Sequence, residues 1–148
     1  MENLKCWFSI SGKLVNDVST GSEDKQDPLK LHKMGTSLYD SGKYEEAAEK
    51  FLEASALYEK VKNYFDASYT LFKAAECNFL LKNYEVATER FMKATNIALE
   101  HGYDRFGLGS LEYVLDCYKA MGKDRDAKAV ELKNKISEVK KKIEASAF

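Results

Sequence analysis

The chain has 148 residues, 45% hydrophobic and 32% charged, with a formal net charge of −1. Those values fit one ordinary globular domain, and the near-neutral balance excludes a general electrostatic pull toward nucleic acid or anionic lipid. A single proline, Pro28, and an abundance of Ala, Leu, Glu and Lys predict helix throughout after residue 27.

Residues 1–27 read as an amphipathic segment followed by a polar linker. Leu4, Trp7, Phe8, Ser11, Val15 and Val18 recur at helical spacing, and Ser19 to Asp27 is polar. Such a stripe is expected to dock on the first hairpin as a cap. Self-association and membrane contact through Trp7 and Phe8 are the alternatives, and a strand through Trp7–Ile10 is the structural one. No basic region precedes a long apolar run, so a secretory leader is not expected.

Asp27-Pro28 then opens a helix, with Asp as N-cap and Pro in the first turn. Leu31, Met34, Gly35 and Leu38 form its apolar face, and Gly42 ends it. A second helix carries Tyr44, Ala47, Ala48, Phe51, Ser55 and Tyr58 and is expected to stop at a left-handed Asn63. The next unit runs from 64 to 102 with its turn at Lys82-Asn83. The last runs from 103 to 148, turning at Gly122-Lys123, with Asp124 expected to cap the final helix.

These units share a register of 40 residues. Leu31, Gly42, Tyr44, Ala47, Phe51 and Ala54 map onto Leu71, Lys82, Tyr84, Ala87, Phe91 and Ala94, then onto Leu111, Gly122, Asp124, Ala127, Glu131 and Asn134. Met34, Ala74 and Val114 also correspond, as do Ser37, Cys77 and Cys117. A fixed period in this range means stacked supersecondary units. The predicted domain therefore covers residues 28–148 as repeats 28–63, 64–102 and 103–148. The last unit loses its Phe and gains Lys133, Lys135, Glu138 and Lys140 to Lys142, as a solvated terminal helix requires. Glu131, Glu138 and Glu144 interrupt that basic run and no aromatic interleaves it, which argues against nucleic acid.

The Leu/Gly/Tyr helix followed by an A-x3-F helix resembles the tetratricopeptide repeat (TPR) family. The resemblance implies an all-α, right-handed solenoid of three antiparallel hairpins, six helices in all, beside any N-terminal one. Each unit is about six residues longer than a standard TPR, and short turns place that excess in the helices. Long hairpins of this kind, with Ala56-Leu57-Tyr58, Lys62-Asn63-Tyr64 and Lys73-Ala74-Ala75, resemble the soluble NSF attachment (SNAP) proteins, which act in membrane trafficking.

What the family resemblance implies for function is a non-catalytic scaffold or adaptor that takes a peptide or helix in a concave groove. Carried across, the groove residues are Tyr39, Tyr69, Phe72, Glu76, Phe79, Glu112 and Asp116. Phe72 and Phe79 have two readings, as partner contacts or as core of the lengthened helices. Chaperone-type gripping of a peptide carboxylate needs Lys, Asn and Arg, and the matching positions hold His32, Thr36, Lys73, Gly109 and Tyr113. Only Lys73 fits, which disfavours that mode.

No catalytic, cofactor or metal constellation is present in the sequence. His32 and His101 lack a second ligand three or four residues away, and Gly102, Gly107 and Gly109 precede no GK[ST]. Cys6, Cys77 and Cys117 form no CxxC, so neither a disulfide framework nor a zinc site is indicated and a reducing cytoplasm is expected. Cys77 and Cys117 instead suit small-residue packing at a helix seam.

Overall fold

Asp27 starts the first helix as predicted: its Oδ1 accepts from the Leu29 N–H at 3.0 Å and the Lys30 N–H at 3.4 Å. A computed structural model describes residues 27–147. The amphipathic segment from Leu4 to Val18, its strand alternative and Cys6 lie outside those residues. Among the described residues there are six helices and no strand: α1 (Pro28–Asp40), α2 (Tyr44–Lys60), α3 (Tyr64–Leu80), α4 (Tyr84–Glu100), α5 (Asp104–Ala120) and α6 (Ala127–Ser146). Each packs against the next in sequence, giving an all-α solenoid of antiparallel helices.

The turns set the geometry. Gly42, Lys62, Lys82, Gly102 and Gly122 have φ of +77°, +64°, +63°, +85° and +71°. At the first of them the Gly42 N–H donates to the Tyr39 carbonyl and the Lys43 N–H to the Leu38 carbonyl, a Schellman closure. Lys62, Lys82, Gly102 and Gly122 repeat both bonds. The backbone thus repeats every 20 residues, and α2 to α5 are each 17 residues long. The extra length of each unit does lie in the helices.

Two expectations about the turns are corrected. Lys62, not Asn63, takes the left-handed conformation, and Asn63 caps α3 instead by accepting from the Asp66 N–H at 3.3 Å. The final helix starts at Ala127, so Asp124 sits in the preceding turn and caps nothing; Asp126 precedes the helix without a side-chain cap bond.

The core follows the 40-residue register. Phe51 packs with Ala47, Ala48, Ala74 and Cys77, and Phe91 packs with Ala75, Ala87, Val114 and Cys117. Both rings are fully buried, each plugging a second helix into the small residues of the next hairpin. Hydroxyls tie the same seams: Ser55 Oγ donates to the Ala67 carbonyl at 2.7 Å and Ser110 Oγ to the Phe91 carbonyl at 2.9 Å. Leu111, Ile136 and Val139 seat α6. Met34 departs from its apolar-face assignment. It is 40% exposed where Ala74 and Val114 are buried, because those two face a preceding helix and, among the described residues, no helix precedes α1.

Candidate partner-binding face

The first helices of the three hairpins, α1, α3 and α5, present the predicted groove residues, and aromatic contacts show how they are arranged. On α1, His32 lies 5.8 Å from Tyr69 of α3, and Tyr69 lies 6.1 Å from Phe106 of α5. These half-buried rings run across three helices.

Further along the same helices, Tyr39 is half-buried against Tyr44 at 5.4 Å. The Lys73 ammonium sits 3.9 Å from the centre of the Tyr39 ring and donates to Glu76 Oε1 at 2.7 Å. Ring and carboxylate together hold one cation. Burial is the strongest single influence and works against the Lys73 charge, but the Glu76 bond together with the charges of Glu76, Tyr39 and Tyr69 outweighs it and the pKa rises. Tyr39 is pushed up by burial and then by Glu76. Because Lys73 is already neutralised within the chain, it has little left to offer a peptide carboxylate.

Phe72 and Phe79 occupy different surroundings. Phe72 meets Phe91 at 5.2 Å, Phe106 at 5.3 Å and Tyr113 at 5.2 Å. Phe79 meets Tyr84 at 5.3 Å and Tyr113 at 6.4 Å, and Tyr113 itself stacks on the buried Phe91 at 5.0 Å. Both side chains are half-buried supports of the core that carries the face. Glu112 and Asp116 are exposed; Glu112 lies 3.8 Å from Lys140 of α6. The structure thus joins Tyr39 to Glu76 through Lys73, and Tyr69 to Phe72 through Phe106, while the two α5 acids stand in solvent.

Sequence reasoning left Phe106 out and weighed Tyr113 only as a carboxylate-gripping position. The strict 40-residue register pointed to Gly109 and Glu112 on α5. A search for rings seven residues apart would have found the pair on one helical face.

The remaining chemistry-bearing groups are structural. Burial pushes the Cys77 thiol up to about 11 and raises that of Cys117, so neither supplies a thiolate. His101 stacks on Tyr64 at 3.6 Å, with Nδ1 2.8 Å from the Ile97 carbonyl. Gly102 ends α4 and Gly107 packs on Leu99, while a Cβ placed on Gly109 would meet nothing within 4 Å. Among the described residues no group of His, Cys, Asp and Glu is placed to hold a metal ion, and no helix is long and apolar enough to cross a membrane.

Helix pairs closed by short turns, each packed on the next, define a helical-repeat solenoid. Residues 28–100 match the family model described as tetratricopeptide repeat, so that stretch carries repeats of this family. Repeats of this family generally serve as protein–protein interaction modules. No curated protein and no solved structure matches the chain.

Proposed function

We propose that the chain is a non-catalytic cytoplasmic adaptor that binds a peptide or helix along the face of α1, α3 and α5. One observation carries the reading: the continuous row His32–Tyr69–Phe106, beside the Tyr39–Lys73–Glu76 cluster. Half-buried rings on a rigid scaffold offer a large contact area at small conformational cost. Phe72 supports Phe106 from behind, Phe79 packs on Tyr84 and Tyr113 beside it, and Glu112 and Asp116 belong to the polar rim.

The test is affinity capture with the full chain, comparing wild type with Tyr39→Ala, Tyr69→Ala and Glu112→Ala. A partner retained by Glu112→Ala but lost by at least about tenfold in Tyr69→Ala supports the face. Binding indifferent to both tyrosines, in variants that stay folded, overturns it.

The 17-residue helices favour one second reading, a SNAP-like factor in membrane trafficking or complex disassembly. Recovery of helical-bundle proteins together with an AAA ATPase in the same capture would support it, and their absence would leave the adaptor reading alone.

A further inference from the structure

Because the turns recur every 20 residues, equivalent positions can be compared. The residue just before α2, α3, α4 and α5 is Lys43, Asn63, Asn83 and Tyr103. A polar side chain suits that place, and Asn63 uses it to cap α3. Tyr103, which like Lys43 and Asn83 makes no side-chain cap bond, is the one aromatic residue of the four and stands 38% exposed. Two residues later in the same register come Glu45, Phe65, Glu85 and Arg105. Phe65, the aromatic exception, is 42% exposed. The two exceptions meet each other, with ring centroids 5.2 Å apart at 71°. Phe106 adds a third ring, 5.8 Å from Phe65. Exposed rings where the repeat otherwise places polar groups are the pattern of a binding surface.

These rings border a recess of about 440 Å³ that Asp104 and Arg105 also line. Asp104 Oδ1 is shielded and has no hydrogen-bond partner among the described residues. Its Oδ2 lies 3.5 Å from Nζ of Lys142, a side chain 67% exposed. The Tyr39–Lys73–Glu76 cluster shows what ring faces beside a carboxylate hold in this chain: a cation. Among the described residues no cation sits over Phe65 or Tyr103.

We infer that Phe65, Tyr103, Phe106 and Asp104 form a docking site for an arginine side chain of a partner peptide. A guanidinium lies flat on a ring while donating to a carboxylate, which an ammonium does less well. Lys142 competes for Asp104, but a pair with so exposed a lysine is easily displaced. Arg105 and the positive end of α5 oppose a cation; Arg105 is exposed, and solvent screens it. The site lies at the N-terminal ends of α3 and α5 and does not require that the Tyr39–Glu76 region bind anything.

The experiment titrates the full chain with three acetylated, amidated tripeptides, Ala-Arg-Ala, Ala-Leu-Ala and Ala-Glu-Ala, following the Phe and Tyr ring protons by NMR. The arginine peptide is expected to bind about tenfold more tightly than the leucine peptide. Asp104→Asn removes that preference, and Lys142→Met strengthens binding. Tyr103→Asn installs the residue found before α3 and α4, so it abolishes binding while the helical circular dichroism of the fold is retained. Equal or tighter binding of the leucine peptide would reduce the surface to an apolar patch and overturn the inference. Tighter binding of the glutamate peptide would make it an anion site instead, and no saturation with the arginine peptide would remove the site altogether.

Discussion

A Cβ placed on Gly35 would come within 2.8 Å of Cδ1 of the Phe51 ring. Phe51 is fully buried among Ala47, Ala48, Ala74 and Cys77, so the ring has nowhere to retreat. Gly35→Ala should therefore destabilise the protein by roughly 1–3 kcal/mol through overpacking. Gly107 makes an instructive contrast. Its Cβ would meet Leu99 Cδ2 at 2.6 Å and Cγ at 2.9 Å, but Leu99 is only half-buried and the whole side chain can swing about χ1. Gly107→Ala should cost less than Gly35→Ala in urea denaturation; the reverse order would show that the Phe51 pocket is not the tighter one.

Phe51 and Phe91 hold equivalent places in successive hairpins, and both are buried completely. Truncating either to Ala should cost about 3–5 kcal/mol, the range for a large buried ring. Phe91 also stacks on Tyr113 and touches Phe72. Phe91→Ala should consequently disturb the Tyr113 and Phe72 ring resonances, whereas Phe51→Ala should leave them in place. Identical NMR footprints for the two variants would contradict this division of the core.

The 40-residue pattern was visible in the sequence because first and second helices bury different side chains, so residue types recur only after a whole hairpin. The 20-residue backbone repeat was hidden for the same reason: left-handed Gly42, Gly102 and Gly122 share their conformation with Lys62 and Lys82. Lysine is no left-handed signal, and Asn63 beside it was the more persuasive candidate. The site was legible in part. Adding 40 to each number found Tyr69 and Phe72 but passed over Phe106 on α5, because side-chain chemistry need not follow backbone register. Only coordinates could show Lys73 shared between Tyr39 and Glu76, or Phe65 meeting Tyr103.

Those left-handed lysines give a stabilising prediction. Lys62 and Lys82 are exposed, and φ near +64° and +63° crowds their Cβ against the backbone. Glycine at either position relieves that crowding but loses more entropy on folding. The balance should favour Lys62→Gly and Lys82→Gly by about 0.5–1 kcal/mol each, additively, since the turns are independent. Unchanged or lowered denaturation midpoints would show that the side chains make contacts worth more than the strain.

His32 makes the fold sensitive to mild acid. Its ring lies among Phe51, Tyr58 and Tyr69 at 6.1, 5.9 and 5.8 Å, with Nδ1 3.3 Å from the Tyr58 hydroxyl. Burial lowers its pKa below the ordinary 6.5, and the Asp66 carboxylate on α3 opposes that shift only in part. The unfolded chain therefore binds the proton more readily than the folded one between the two pKa values. Stability from this residue is complete above the unfolded value and declines as pH falls through it toward the folded pKa. Carboxylates add their own acid dependence at lower pH, so the informative quantity is the difference between wild type and His32→Gln. Wild type should lose more Tm than His32→Gln between about pH 7.5 and about pH 5.5, a window centred on the histidine range. Asp66→Asn removes the one charge that favours the imidazolium, and should deepen the wild-type loss. Parallel Tm curves for wild type and His32→Gln across that window would mean that the ring is solvated in the folded protein and that the aromatic enclosure does not hold it neutral.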